Sequence, residues 1–144
     1  MSETYLEMKE RHQKEVNDFP MAFAFNREQG EEALKKLNAK ADECISILGM
    51  GDIIRKSDVP KYRDMCDRHY NELKEAMKDK TFAEDAFLYE MNNHEYAINW
   101  DGDADVLECF GFSSLKELDD VGLGQAYSNA KRAHFKHFEE LGVI

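Results

Sequence analysis

The sequence predicts an α+β fold, with about six helical segments packed on a small antiparallel sheet of three to four strands. Several segments repeat apolar residues at the three- and four-residue spacing of amphipathic helices, whereas shorter segments alternate or are rich in β-branched residues. Turns or helices join the strands without a regular strand–helix–strand repeat, which argues against a parallel sheet. A length of 144 residues is most simply a single domain, residues 1–144, which can fold without disulfides or a metal.

The first third of the chain predicts a helix, a strand and a second helix. Thr4 and Glu7 fit a capping box, and the helix that they begin runs to about Asn17, before a Phe-Pro pair. Residues 21–25 alternate large and small side chains, as strands do. Asn26 is a suitable N-cap for the helix that follows.

The middle of the chain predicts a hairpin and a long helix. Residues 44–48 and 53–55 are rich in apolar and β-branched side chains, and a glycine-containing turn separates them. Ser57 with Pro60 then begins a helix, because a cap residue and a proline in the first turn are typical helix-start signals. This helix, which extends to about residue 79, has the most regular apolar spacing in the chain.

The last part predicts more helix and one further strand. Thr81 and Glu84 form a second capping-box pattern, at the start of a largely apolar helix that runs to about residue 91. Residues 94–100 alternate and predict a strand. The remaining helices are expected at residues 103–110, from residue 114 and at residues 123–141, with glycines at the ends of the first and last.

Nearly all of the excess negative charge lies in residues 81–130, which carry eleven acids and one base, Lys116. The acids are Glu84, Asp85, Glu90, Glu95, Asp101, Asp103, Asp105, Glu108, Glu117, Asp119 and Asp120. We expect them on the outward faces of their elements, where they would form one negative surface that attracts basic protein surfaces. Such a surface repels phosphate backbones and no basic stripe is present, so we expect no direct binding of nucleic acid.

Two loops resemble ligand-binding motifs but fail the detailed comparison. Carboxylates alternate along residues 101–105 as in a calcium loop, yet Val106 and Phe112 stand where an EF-hand requires glycine and glutamate. A turn with acids at the start of a helix is the alternative. Residues 49–51 are Gly-Met-Gly, but they lead into a strand rather than a helix, which favours a hairpin turn over a phosphate site.

The cysteines predict no disulfide framework. Cys44, Cys66 and Cys109 are an odd number and lie far apart, so free, reduced thiols are expected. Cys66 and His69 stand three residues apart on a predicted helix and could share a metal. A zinc site would need two further ligands, for which Cys44 and Cys109 are conceivable. The alternative is that His69 is a packed core residue.

Three other histidines also admit a metal or a structural interpretation. His94 lies at a predicted helix–strand junction, where it could take part in catalysis. His134 and His137 form a His-x-x-His pattern on the last helix, but the glutamate of the His-Glu-x-x-His zinc motif is absent. His134 also lies on the packing stripe of that helix, so a structural role is favoured. No catalytic residue, metal or cofactor is assigned from these patterns.

Four segments carry a resemblance to a known family. They are Phe19–Phe25, Ile54–Asp58, Asp67–His69 and Phe87–Tyr96. In this order, over roughly residues 4–125, the chain resembles a family of small uncharacterised proteins from prophages and mobile elements of gut and other Gram-positive bacteria. The resemblance implies an intracellular protein of a mobile element, and it carries no activity, cofactor or catalytic residue.

Three functional hypotheses follow. The leading one is a non-catalytic acidic protein that docks on a basic protein surface, such as an inhibitor of host nucleic-acid-binding defence machinery of the anti-CRISPR or anti-restriction type. The alternatives are a small metal-dependent hydrolase using His69, His94 and nearby carboxylates, and a homo-oligomeric structural protein. The first ten residues lack the apolar run of a signal peptide and no stretch is long enough to span a membrane, so a cytoplasmic protein without membrane contact is expected.

Overall fold

The structure, a computed structural model, describes residues 3–99 and 101–142. These residues form seven α-helices and a three-stranded antiparallel sheet, which confirms the predicted α+β class. The helices are α1 Tyr5–Asp18, α2 Arg27–Leu37, α3 Val59–Ala76, α4 Lys80–Asn93, α5 Gly102–Glu108, α6 Leu115–Asp120 and α7 Gly124–Glu140. The strands are β1 Met21–Phe23, β2 Cys44–Ile45 and β3 Asp52–Arg55. None of the described helices is both long and apolar enough to cross a membrane.

The described residues divide into two compact units. The first unit contains the described residues up to Arg11 and from Asn71 onward, and the second contains His12–Tyr70. Helices α1 and α3 therefore contribute residues to both units. The expectation of a single domain, which comes from the chain length, stays a prediction.

In the second unit, α2 covers one face of the small sheet. Strand β3 lies in the middle, with β1 and β2 paired antiparallel on its two sides. The predicted cap of α2 is confirmed, because the side chain of Asn26 accepts a hydrogen bond from the backbone N–H of Gln29. Ala33 and Leu37 of α2 are buried in one apolar cluster with Ala22 of β1. The cluster is small because the strands are only two to four residues long.

In the first unit, helices pack on helices, with α4 and α7 as the main pair. Phe87 of α4 is fully buried, and its ring meets those of Tyr127 and Phe110 edge-to-face at 5.2 and 5.1 Å between centroids. Burying a side chain of this size contributes about 1.5–3 kcal/mol. The capping box of α1 forms as predicted, since the backbone N–H groups of Thr4 and Glu7 each donate to the other's side chain.

The cap of helix α4 lies two residues before the predicted one. The cap is Asp79, whose side chain accepts hydrogen bonds from the backbone N–H groups of Thr81 and Phe82. The prediction that Thr81 caps this helix is therefore wrong. Aspartate and threonine are both good caps, so the local sequence offered two starts. The earlier start is the one that the structure adopts.

The strand predicted at residues 94–100 is also wrong. Tyr96–Ile98 form a short 3₁₀ turn after α4. The backbone N–H of Ala97 donates to Nε2 of His134 at 3.0 Å, rather than to a neighbouring strand. The side-chain alternation that suggested a strand instead places the Tyr96 ring against His134 of α7. Trp100, the last residue of the predicted strand, lies outside the described residues.

Candidate functional site

Six of the eleven acids of residues 81–130 are exposed in the structure: Asp85, Glu95, Asp101, Glu108, Asp119 and Asp120. They lie on α4, on the turn between α4 and α5, at the end of α5 and at the end of α6. None of the six forms an ion pair with a described lysine, arginine or histidine. Their charges therefore face solvent without a contacting cation, while their union into one negative surface stays a prediction.

The side chain of Asp103 instead forms hydrogen bonds within the first unit. One of its carboxylate oxygens accepts hydrogen bonds from the hydroxyls of Tyr96 and Tyr127, each at 2.5 Å. Burial, together with the hydrogen bond to Asp103, raises the pKa of both tyrosines above its ordinary value. Three further acids are half-buried and bonded within the same unit: Glu84 to Asn129, Asp105 to Asn99 and Glu117 to the backbone N–H of Ser113.

These internal bonds bear on the calcium-loop interpretation of residues 101–108. Its acids would have to point at one common ion. Asp103 instead accepts from tyrosines, and the carboxylate of Asp105 accepts from the side-chain amide of Asn99 at 2.8 Å. Among the described residues, no metal-ligand cluster forms within this loop. The loop is a turn followed by α5, in line with the alternative interpretation.

Glu90 corrects the expectation that all eleven acids face outward. Its side chain is only 1% exposed. Its Oε2 accepts hydrogen bonds from the hydroxyl of Tyr5 at 2.5 Å and from Nζ of Lys9 at 2.8 Å. Burial alone would raise the pKa of Glu90, but the hydrogen bonds from Lys9 and Tyr5 outweigh it and hold the pKa below its ordinary value. Glu90 is therefore a buried carboxylate paired with α1, and it is not part of an outer acidic surface.

The other oxygen of Glu90 faces a histidine and a cysteine. Glu90 and His94 stand four residues apart at the end of α4, with Oε1 and Nε2 3.9 Å apart. The same Nε2 lies 3.4 Å from Sγ of Cys109, which directly follows α5. One ligand atom of each residue lies within 4.8 Å of the other two. Among the described residues, this is the group of three metal-ligand side chains that the structure brings together.

Cys109 is not poised as a nucleophile in this arrangement. Burial, with the negative charge of Glu90, raises the pKa of its thiol to about 11. A thiol with that pKa stays protonated at neutral pH, whereas cysteine nucleophiles react as thiolates. The thiol also lies 3.3 Å from the backbone carbonyl of Asp105, to which it donates. The cluster is therefore better suited to hold a cation, which would displace the thiol proton, than to covalent catalysis.

His69 belongs to a separate set of contacts within the second unit. Its Nε2 lies 3.1 Å from a carboxylate oxygen of Glu15, and its ring stacks on that of His12 at 3.9 Å between centroids. Hydrogen bonds from Arg68 and His69 lower the pKa of Glu15 to about 2. Cys66 is exposed. Among the described residues, no group of three metal ligands includes Cys66 or His69, so the pair predicted from their spacing has no third ligand there.

The Gly-Met-Gly loop is a hairpin turn closed around an internal anion. Asp52 at the start of β3 is 1% exposed, and its carboxylate accepts from the hydroxyl of Ser46 and from the backbone N–H groups of Ile47, Leu48 and Met50. Burial would raise the pKa of Asp52, but these hydrogen bonds together hold it well below its ordinary range. Backbone N–H groups that could have held a phosphate thus hold a carboxylate of the same chain.

The His-x-x-His pattern of α7 does not gather ligands. His134 is fully buried, and its Nδ1 lies 2.7 Å from the side-chain oxygen of Asn92. With Nδ1 donating to Asn92 and Nε2 accepting from Ala97, the ring is neutral, and burial lowers its pKa below the ordinary value. His137 is exposed. The packed, structural role predicted for His134 is consistent with these contacts.

A surface groove of about 460 Å³ lies in the second unit, beside α2 and the strands β2 and β3. Its buried polar group is already engaged. The buried carboxylate of Asp52 accepts its hydrogen bonds from within the hairpin, whereas the side chains of Arg27 and Glu31 are 94% and 67% exposed and remain solvated surface groups. Binding sites for small molecules need polar groups that are free to orient a ligand. The groove is therefore a weaker candidate than the cluster at Glu90.

The cluster of Glu90, His94 and Cys109 was missed in the sequence, although one signal was present. The four-residue spacing of Glu90 and His94 is a same-face pair if α4 continues to His94. Because residues 94–100 were predicted as a strand, the two residues were assigned to different elements. Cys109 could not be found from spacing, since only the return of α5 brings its thiol to His94.

A protein family of unknown function, DUF7659, matches residues 4–137. The match covers most of the chain, including α1 through α6, the three strands and nearly all of α7. The predicted relationship to a family of uncharacterised proteins is thereby confirmed. No curated protein and no solved structure matches the chain.

Proposed function

Since the chain belongs to the family of unknown function DUF7659, we propose its function from its own residues: a non-catalytic acidic binding protein that docks on a basic protein surface. One observation carries the proposal. Six acids of the first unit are exposed without an ion-pair partner among the described residues, in a window whose only base is Lys116. The proposed setting is the cytoplasm of a bacterium that harbours a mobile element, as the sequence resemblance implies.

Unpaired surface carboxylates favour association with a cationic partner. A group of like charges raises the local potential, and this potential steers an oppositely charged protein into contact. A carboxylate that already has a cation in contact contributes little to such steering, which is why Glu90 is left out of the proposed surface. The proposed docking acids are thus the six exposed ones. Glu84 and Glu117 are not among them, because their carboxylates accept hydrogen bonds within the first unit.

The partner class with the complementary charge is a nucleic-acid-binding protein. Such proteins carry lysine and arginine surfaces that neutralise phosphates. A protein that presents exposed carboxylates can occupy that surface in place of the nucleic acid. We therefore propose inhibition of host nucleic-acid-binding defence machinery, of the anti-CRISPR or anti-restriction type, as the specific form of the docking function.

The test is capture from a lysate of a Gram-positive bacterium, with the full chain as bait and mass spectrometry as readout. The expected result is enrichment of nucleic-acid-binding proteins, which added duplex DNA displaces. Enrichment should also fall steeply between about 0.15 M and about 1 M salt, because the screening length shrinks from about 8 Å to about 3 Å. Capture that persists at high salt and in the presence of DNA would contradict the proposal.

A matched pair of variants assigns the effect to the acidic window. The triple variant Asp85→Asn, Glu108→Gln, Asp120→Asn removes three exposed charges from the window. The control triple variant Glu32→Gln, Asp64→Asn, Asp67→Asn removes three exposed charges from the second unit. The first variant should lose the captured proteins and the second should retain them. Equal losses would mean that total charge alone, rather than this surface, determines the binding.

A second candidate, a small metal-dependent hydrolase, is favoured by the position of His94 beside Glu90 and Cys109. His69 is not required, because its contacts are with Glu15 and His12. A zinc ion on three protein ligands can activate water for hydrolysis. Zinc-dependent cleavage of nitrophenyl esters or phosphate esters, lost in His94→Gln and kept in His69→Gln, would support this candidate. Equal activity in both variants would remove it.

A further inference from the structure

The three ligand atoms of Glu90, His94 and Cys109 are spaced close to the dimensions of a zinc site. Tetrahedral zinc holds sulfur at about 2.3 Å and nitrogen or oxygen at about 2.0–2.2 Å, so its ligand atoms stand about 3.3–3.6 Å apart. The sulfur–nitrogen distance is 3.4 Å and the nitrogen–oxygen distance is 3.9 Å. All three atoms lie within 4.8 Å of one another. Closing onto an ion would need movements of about 1 Å or less.

We propose that Glu90, His94 and Cys109 bind one zinc ion, with water as the fourth ligand on the solvent side of His94. The side chain of His94 is 32% exposed, whereas that of Glu90 is 1% exposed. The site thus has a buried anchor and one ligand at the surface, which gives an ion a way in. Three protein ligands with water in the fourth place is the arrangement of zinc sites that exchange a ligand.

The surrounding residues already hold the carboxylate ligand in place. Tyr5 and Lys9 both donate to Oε2 of Glu90, so Oε1 is the oxygen that faces His94. The side-chain amide of Asn93 lies 3.4 Å from that Oε1. Groups that orient a ligand from behind raise metal affinity, because the ligand does not have to be ordered when the ion binds. A glutamate positioned in this way is an ordered ligand before any metal arrives.

The donor set selects the metal. Sulfur and imidazole favour zinc and other borderline ions, while magnesium and calcium prefer sites made of oxygen alone. On binding, the zinc–sulfur bond forms as the Cys109 thiol releases its proton to solvent, and His94 contributes the lone pair of neutral Nε2. The thiolate and the Glu90 carboxylate bring two negative charges to the ion, and because the Lys9 ammonium also contacts Glu90, these groups and the ion together retain one net positive charge. This site does not rest on the docking function, because none of the six exposed acids takes part in it.

Cobalt binding to the full chain tests the site, since cobalt(II) occupies zinc sites and reports its ligands by absorption. The chain is stripped of metal with a chelator, kept reduced and titrated with cobalt(II). We expect one equivalent to bind, with a sulfur-to-cobalt charge-transfer band and the intense visible bands of four-coordination. Zinc should then displace the cobalt, and zinc alone should raise the melting temperature of the chain.

Matched variants keep the result interpretable. Cys109→Ser and His94→Gln should each weaken cobalt binding at least about 100-fold, since even groups behind the ligands are worth 10–100-fold. Cys66→Ser and His69→Gln change the same residue types outside the cluster and should bind as the unmodified chain does. His94→Gln is the variant expected to keep its fold, because the side chain is partly exposed, and circular dichroism verifies this.

Three outcomes would overturn the proposal. One is the absence of the charge-transfer band from the folded, reduced chain. Another is a band that Cys66→Ser removes as completely as Cys109→Ser does. The third is metal affinity within about threefold of the unmodified chain in both Cys109→Ser and His94→Gln, well short of the 10–100-fold loss expected for even a supporting residue. Any of these would leave the three residues as a hydrogen-bonded packing cluster.

Discussion

Replacing Lys9 with methionine should destabilise the protein more than neutralising its partner Glu90. The substitution Lys9→Met leaves a carboxylate that is 1% exposed without its cation. Removing one partner of a fully buried pair costs about 3–5 kcal/mol, and because the Lys9 side chain is itself 43% exposed we expect about 3 kcal/mol. Glu90→Gln keeps the shape of the side chain and buries no charge, while the Lys9 ammonium returns to water. We therefore expect a loss of about 1–2 kcal/mol in the free energy of unfolding.

The double variant measures the coupling free energy between Lys9 and Glu90 apart from the cost of each single substitution. With Lys9→Met and Glu90→Gln combined, no charge is buried, so the total cost should be smaller than the sum of the single costs by about 2 kcal/mol. The hydroxyl of Tyr5 still has an oxygen to donate to in all three variants. A coupling of this size is expected only if the ion pair at 2.8 Å is formed in solution.

The pH dependence of stability gives an independent check, because the contribution of Glu90 has opposite signs in the unmodified chain and in Lys9→Met. In the unmodified chain the folded pKa of Glu90 is below its ordinary value, so its contribution to stability is present above the unfolded pKa of about 4.3 and is lost as pH falls through the folded pKa. In Lys9→Met, burial acts without the ammonium, so the folded pKa should rise above the unfolded value. The cost of Lys9→Met should therefore shrink as pH falls from about 7 to about 4.5.

Urea denaturation followed by far-ultraviolet circular dichroism measures these free energies of unfolding. Lys14→Met serves as the control, because Lys14 is an exposed lysine on the same helix α1. The control should change stability by less than about 0.5 kcal/mol. The reasoning is refuted if Lys9→Met costs less than about 1 kcal/mol, if its cost is unchanged at about pH 4.5, or if the two substitutions are additive.

Three further predictions concern groups with defined internal contacts. Asp52→Asn should cost about 2–4 kcal/mol in urea denaturation at neutral pH, because an amide N–H₂ would face the backbone N–H donors of the hairpin; a cost below about 1 kcal/mol would contradict the hydrogen bonds seen there. Gly102→Ala should cost about 1–3 kcal/mol, since the new Cβ would lie 2.7 Å from the Tyr96 ring, whereas Gly30→Ala in α2, with nothing within 4 Å, should stabilise by about 0.5–1 kcal/mol; the opposite order would refute the packing. The buried imidazole of His134 should stay neutral below pH 6.5 by NMR, and because its folded pKa is lowered, stability should fall as pH drops through the unfolded pKa of about 6.5; a folded-state midpoint at or above about 6.5 would contradict its burial.

Local signals in the sequence predicted most of the secondary structure. The caps of α1 and α2 depend on side chains that lie three residues from the backbone groups that they bond. Their pattern can therefore be recognised in the sequence without knowledge of the fold. The competing caps at Asp79 and Thr81 show the limit of this information, because two suitable cap residues lie only two positions apart. The strand predicted at residues 94–100 failed for a different reason, since a backbone donor there is satisfied by His134, which stands 37 residues away from Ala97.

The sequence alone determined the α+β class and the concentration of acidic residues in one window, because both depend on composition and on short-range spacing. Only the tertiary structure decided which acids face solvent and which are internal. Tyr5 and Lys9 stand 85 and 81 positions from Glu90, and Cys109 stands 15 positions from His94. A carboxylate can be buried only where hydrogen-bond donors or a cation meet it, and for Glu90 no periodicity in the chain indicates where such distant groups come together.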